Sequence, residues 1–352
     1  MNALADAFGE VRRIAVFRAL VLGDMLCAVP ALRALRTAWP QAEVTLIGLP
    51  WAGQWVERSA QVDRFIEFPG FPGLPERGVD SLAWPAFLQD VQSRHFDLAV
   101  QLHGSGTLTN PLVALFNARN VAGFAGAGAW ASNRATHCDW PDSGDEIERL
   151  LRLTDHLGLA RQGAHLEFAL HPQDEASLRQ AWPGVDAAGS IVCVHAGAQL
   201  PSRRWPPERF AAVADRLAAA GHTVVLTGTP GEQTLVGQVA SAMRHRAVNL
   251  VGRTSLWTLG ALLRRCRLLV CNDTGVSHVA AALRTPSVVV SLGADVSRWA
   301  PRDRSRHRVL WQAMNCRPCG HVDCPVGHGC ATAIAPHLVA ETAEELLEAA
   351  VA

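Results

Sequence analysis

Three segments of this 352-residue chain place reactive side chains where an apolar run gives way to a helical pattern. Leu22-Gly23-Asp24 puts a carboxylate at the lip of a helix. There it can cap the helix or serve as a general base. Asn272-Asp273-Thr274-Gly275-Val276-Ser277-His278 follows a second apolar run. A helix start presents backbone N–H groups and the positive end of the helix dipole, and a glycine lets an anion approach, so this segment suits a phosphate or diphosphate. A turn with a cap, and His278 in the core, accounts for the same residues. His195 to Trp205 carries Arg203 and Arg204 side by side. Arginine grips phosphate bidentately and keeps its charge, although two adjacent arginines also make an ordinary solvated surface.

A fourth group is Cys316-x2-Cys319-x4-Cys324-x5-Cys330, with His321 and His328 interleaved. Its density is that of a metal site, but the spacing lacks the two separated pairs of a zinc ribbon. Buried structural thiols, a structural zinc or iron, and disulfides are three readings of it. Cys27, Cys193 and Cys271 stand in apolar runs and read as buried free thiols of a cytosolic protein.

The composition excludes several chemistries. No lysine or tyrosine occurs, so all 32 basic residues are arginine, and a Schiff-base lysine, a P-loop lysine and a catalytic tyrosine are impossible. The 32 acidic residues balance them, which leaves no global electrostatic case for nucleic acid. No Asp-x-Asp is found, Gly104-Ser105-Gly106 is not completed to G-x-G-x-x-G, and no G-x-S-x-G elbow is present. Met1 to Glu10 does not resemble a signal peptide, and no run of 18 apolar residues exists to span a membrane. A cytoplasmic protein is expected.

The elements that must carry these residues alternate. Ile14–Phe17 reads as a buried strand, and Met25, Val29, Leu32, Leu35 and Trp39 line one face of a helix that Pro30 should kink or restart. Val44–Ile47 completes a strand–helix–strand unit of a parallel sheet. Phe68 to Pro85 is a Pro- and Gly-rich loop, and Asp97–Leu102 is a strand ending in His103-Gly104-Ser105-Gly106. After a polar stretch from Leu170 to Gly189 the alternation restarts at Ile191 and continues to Leu292. The predicted class is α/β, with two doubly wound domains, 1–172 and 185–335, facing a cleft, and a last helix within 336–352 that could pack back on the first domain. Ligands should bind outside the carboxyl ends of the strands.

In order along the chain, Arg13 to Phe17 through Leu22-Gly23-Asp24 and Val29 to Arg33, Pro201-Ser202-Arg203-Arg204-Trp205-Pro206, Val225 to Glu232, Asn272 to Leu283, Trp299-Ala300-Pro301 and Cys316-Arg317-Pro318-Cys319 resemble the motifs of glycosyltransferase family 9, which holds the ADP-heptose:lipopolysaccharide heptosyltransferases. The resemblance runs over nearly the whole chain. It implies a GT-B fold of two Rossmann-like domains, the second binding a nucleotide sugar, and an inverting transfer that needs no metal or other cofactor. Asp24 matches the acid that deprotonates the acceptor. Asp273, Thr274, Gly275 and His278 match the donor diphosphate loop, and Glu232 matches an acid on the nucleotide's ribose. Arg203 falls where the family usually has a phosphate-binding lysine.

The resemblance further implies a nucleotide-diphosphate sugar donor, most simply ADP-heptose, and a glycolipid or other glycan acceptor met as a peripheral protein at the inner membrane. The acceptor side is read from the His103 and Ser105 loop and from Gly123 to Trp130. Arg18 and Arg134 read as surface residues, with contact to an anionic acceptor as their other use. Another nucleotide sugar, a protein acceptor, a non-catalytic sugar-nucleotide binder and a metal-organised module at the cysteines are the alternatives.

Overall fold

A computed structural model describes residue 4 and residues 7–349. Residues 1–3, 5 and 6, within the stretch read for a leader, and 350–352 of the expected last helix lie outside the described residues. The chain forms two compact units, Met1–Ala169 and Leu170–Ala352.

The first unit holds a six-stranded sheet in the order β3-β2-β1-β4-β5-β6. Its strands are β1 (Arg13–Phe17), β2 (Glu43–Gly48), β3 (Arg64–Glu67), β4 (Leu98–Gln101), β5 (Asn120–Ala125) and β6 (His137–Asp139). The second unit repeats that order with β7 (Ile191–His195), β8 (Thr223–Thr227), β9 (Val248–Asn249), β10 (Leu268–Asn272), β11 (Ser287–Ser291) and β12 (His307–Trp311). Every pairing is parallel. Ile14–Phe17 and all of β7 and β10 are buried, as parallel strands covered on both faces must be. In each unit the chain reverses direction across the sheet beside its first strand, between β1 and β4 and between β7 and β10, and that reversal opens a crevice at the strands' carboxyl ends.

Helix Leu22–Ala38 continues as one element through Pro30, where the sequence suggests a kink or restart. Proline forfeits one backbone hydrogen bond there. The helix is buried on most sides from Met25 to Leu35, and that packing holds it across the gap. Phe17, Phe68, Phe87 and Phe116 pack edge to face in the first core, with Phe17 and Phe68 centroids 5.0 Å apart. The second core is built around Trp205, fully buried and edge-on to Phe210 at 5.1 Å.

Helix Pro336–Ala349 follows as the last element. Val339, Ala340, Ala343, Leu346 and Leu347 enter the second unit's own core beside Leu217 and Val288, and Glu344 pairs with Arg216. The helix is an integral part of that unit, its apolar stripe buried in that core. Among the described residues no helix is long and apolar enough to cross a membrane.

Candidate functional site

In the first unit the residues of interest gather at the carboxyl ends of β1 and β4. Asp24 is half-buried in the first turn of its helix, and Val21 occupies the N-cap position, so Asp24 is not the cap. Its backbone carbonyl accepts two hydrogen bonds from Arg18, from Nε at 3.0 Å and Nη2 at 2.6 Å. Arg18 is 1 % exposed, which overturns its reading as a surface residue. It pairs with the equally buried Glu146 at 3.2 Å and donates from Nη1 to the Leu102 carbonyl. Arg134 is an exposed residue, 3.6 Å from Asp139.

His103 closes this end of the sheet. Its ring stacks on Phe17 at 5.2 Å, and Nδ1 accepts the Ala19 N–H at 3.2 Å. The neutral ring therefore carries its proton on Nε2, which faces Glu76 at 3.8 Å. Ser105 lies on the adjoining turn, where its carbonyl accepts the Gly126 N–H at 2.7 Å. Gly106, at φ +87°, must be glycine: a Cβ would stand 2.2 Å from the Phe124 carbonyl oxygen. That contact seats the His103–Ser105 loop against β5.

In the second unit, Asp273, Thr274 and Gly275 join β10 to helix Gly275–Leu283. Thr274 is the N-cap, with an extended backbone and no side-chain cap. Ser277 donates to the Thr274 carbonyl from both N and Oγ, at 2.9 and 2.8 Å. The Asp273 carboxylate accepts the Ser291 hydroxyl at 3.1 Å. His278 is buried with its ring edge-on to Trp299, centroids 6.4 Å apart.

Glu232 stands at the end of β8's loop. Its Oε2 accepts the Thr229 N–H and hydroxyl at 2.7 and 3.0 Å, a reciprocal cap of the short turn Pro230–Glu232. A Cβ on Gly197 would fall 2.0 Å from Glu232 Oε1, so the bare backbone after β7 makes room for this carboxylate. Beside it, His195 is buried with Nδ1 3.0 Å from the Thr227 hydroxyl, and burial pulls its pKa below the ordinary histidine value. Arg203 ends the turn Pro201–Arg203, donates from Nη2 to the Cys319 carbonyl at 3.2 Å, and keeps Nε buried without a partner. Arg204 serves its own loop, donating to the Ala198 carbonyl.

The cysteine segment is not arranged as a metal centre. Among the described residues no three His, Cys, Asp or Glu side chains gather as ligands, and all nine cysteines are free thiols. The cysteines are unbridged, so the disulfide reading is not met, and of this segment only Cys330 is a buried thiol, since Cys316 is exposed and Cys319 and Cys324 are half-buried. Cys27, Cys193 and Cys271 are buried as expected. The segment instead straps the Arg203 turn. Ser202 donates from N to Val322 and from Oγ to His321, and His328 Nε2 lies 2.7 Å from the Ser202 carbonyl. Arg317 donates to the Ser291 and Ala294 carbonyls, and Cys319 donates to Gly293 at 2.7 Å.

Glu76, Glu146, Asn272 and Arg317 escape a reading of types and spacings. Asn272, fully buried, accepts the Trp205 N–H at 3.0 Å and donates to Ala196 at 2.7 Å, so it holds the loop after β7 in place. An amide ending an apolar strand was its one visible signal.

Known proteins agree with this architecture. The family model described as glycosyltransferase family 9 (heptosyltransferase) matches residues 84–329. The chain is 27% identical over 285 residues to lipopolysaccharide heptosyltransferase 2 of Salmonella typhimurium, covering 76% of this chain and 79% of that one. It superposes on the structure of E. coli ADP-heptose lipopolysaccharide heptosyltransferase II with a TM-score of 0.75, at 20% identity over 97% of this chain and all of the other. An E. coli heptosyltransferase solved with ADP gives a TM-score of 0.70 at 19% identity, over 95% of this chain and 99% of that one. The fold is thus GT-B, and this chain, a glycosyltransferase, belongs to glycosyltransferase family 9, the heptosyltransferase family.

Proposed function

We propose that the protein transfers heptose from ADP-heptose to a lipopolysaccharide core, with inversion at the anomeric carbon and without a metal. The observation that carries this reading is the second unit's anion-receptive corner. Arg203, with a buried and unpartnered Nε, stands on the loop after β7, and the start of helix Gly275–Leu283 follows β10, the neighbouring strand. Asp273, Thr274, Gly275 and His278 hold the diphosphate end of the donor, and Glu232 takes the ribose through the carboxylate oxygen that Gly197 accommodates. The relatives' names and the relative solved with ADP support the choice of donor.

Asp24 takes the proton of the acceptor hydroxyl as that oxygen attacks the anomeric carbon. The bond from that carbon to the donor's diphosphate oxygen breaks, and its electron pair leaves with ADP. Arg203 and the helix start meet that growing charge. A fixed donor of this kind typically contributes roughly 10²–10³-fold in rate. The His103–Ser105 loop lies on the acceptor side. The acceptor is a glycolipid reached from the cytoplasmic face of the inner membrane.

Calorimetry with ADP-heptose, UDP-N-acetylglucosamine and plain ADP tests the donor. Selective uptake of ADP-heptose is expected; preference for the uridine sugar would overturn the heptose assignment. Asp24→Asn should keep donor binding and lower turnover about 10²–10⁴-fold. Turnover near the parent rate would remove Asp24 from the base role.

A further inference from the structure

Arg18 follows the last residue of β1 and is 1 % exposed, so it is sealed from any substrate. Its guanidinium nonetheless spans three elements. Nε and Nη2 both donate to the Asp24 carbonyl, Nη1 donates to the Leu102 carbonyl next to His103, and Nη2 meets Glu146 Oε1 at 3.2 Å. Glu146 opens helix Glu146–His156, whose start is capped by Asp145 accepting the Glu148 N–H at 2.9 Å. The Arg18 backbone N–H donates to the Ile47 carbonyl on β2 at 3.1 Å, so the base of the arginine side chain is anchored in the sheet.

A buried ion pair adds little or nothing to stability compared with a well-packed apolar pair. What it supplies here is geometry: a rigid planar fork aimed at backbone oxygens. Two of its bonds fall on the residue that carries the carboxylate, and a third on the residue before His103. We propose that Arg18, aligned by Glu146, is a positioning residue that sets the Asp24 turn and the His103 loop in one fixed relation for the transfer. The proposal rests on the reading of Asp24 as base.

Arg18→Met takes the guanidinium away from the buried Glu146 carboxylate, so both thermal stability and kcat should fall. The double variant Arg18→Met/Glu146→Met removes both charges. It should regain the parent melting temperature while kcat stays about 10²-fold down, the scale of a small misplacement of a reacting group. The KM for ADP-heptose, bound by the other unit, should stay unchanged. Arg18→Lys keeps the charge opposite Glu146 but loses the fork, and should fold with a similarly reduced kcat. Parent kcat in either folded variant would overturn the proposal. Asp24→Asn, assayed alongside, separates the two ideas: if it keeps turnover, the base reading fails; if it is inactive while the Arg18 variants turn over normally, only the positioning role fails.

Discussion

Arg203 and Glu232 show how one residue can be both part of the fold and available for chemistry. Arg203 spends one nitrogen on the Cys319 carbonyl and keeps Nε buried and unpartnered, a costly state for a charged donor. An incoming phosphate oxygen would relieve it. Arg203→Ala should therefore weaken donor binding by about 1.5–3 kcal/mol, the worth of a hydrogen bond to a charged group. Calorimetric titration with ADP checks this, and an unchanged dissociation constant would refute the contact. Glu232 divides its carboxylate in the same way, with Oε2 on Thr229 and Oε1 toward Gly197. The candidate residues were legible because an acid, an arginine or an Asp-Thr-Gly at the end of an apolar run is visible in one dimension. Arg18 was misread for the opposite reason. Beyond the nearby Asp24 carbonyl, its partners lie 84 and 128 residues away, and burial imposed by such distant neighbours leaves no local trace.

At the scale of elements, the strands were legible because parallel strands covered on both faces are unbroken apolar runs. At Pro30 local propensity favours a kink or a restart, and the chain does not restart there, because the packing around helix Leu22–Ala38 offsets one lost hydrogen bond. The strap from Cys316 to Cys330 was legible only in part. Cysteine density suggested a ligand set, yet backbone groups of that segment make most of the contacts that matter, and backbone groups have no sequence signature. Arg317 fastens the strap to the end of β11, where Ser291 also reaches Asp273. Arg317→Ala should cost about 2 kcal/mol, lowering Tm by roughly 5 °C. It should also loosen ADP binding through Ser291 and Arg203. Differential scanning calorimetry with and without ADP measures both; a stability loss with no change in ADP affinity would confine Arg317 to a scaffold role.

For the whole molecule, stability should depend on pH through histidines buried in the neutral form. His307 is the clearest. Burial pushes its pKa from 6.5 down to about 4, against a smaller pull from Asp303, and its Nδ1 lies 2.9 Å from the Ser287 hydroxyl. Below 6.5 the unfolded chain takes up a proton that the folded protein refuses until about 4. Stability from this group is thus complete above 6.5 and is lost as the pH falls through that window. His195 and His137, also lowered by burial, act in the same sense. Melting temperatures measured from pH 7 to 4 should fall steadily, and His307→Asn should flatten part of the slope. An identical slope in the variant would show that His307 is not shielded.

The strap over Arg203 also makes the protein easy to instrument. Of the nine thiols only Cys316 is exposed, and it sits three residues before the carbonyl that holds Arg203. With no lysine anywhere in the chain, amine-directed dyes have few places to go, while a maleimide fluorophore would find this thiol first. A dye there would ride on the segment tied to Arg203, so under the proposed donor contact its emission would become an optical gauge of donor arrival and release.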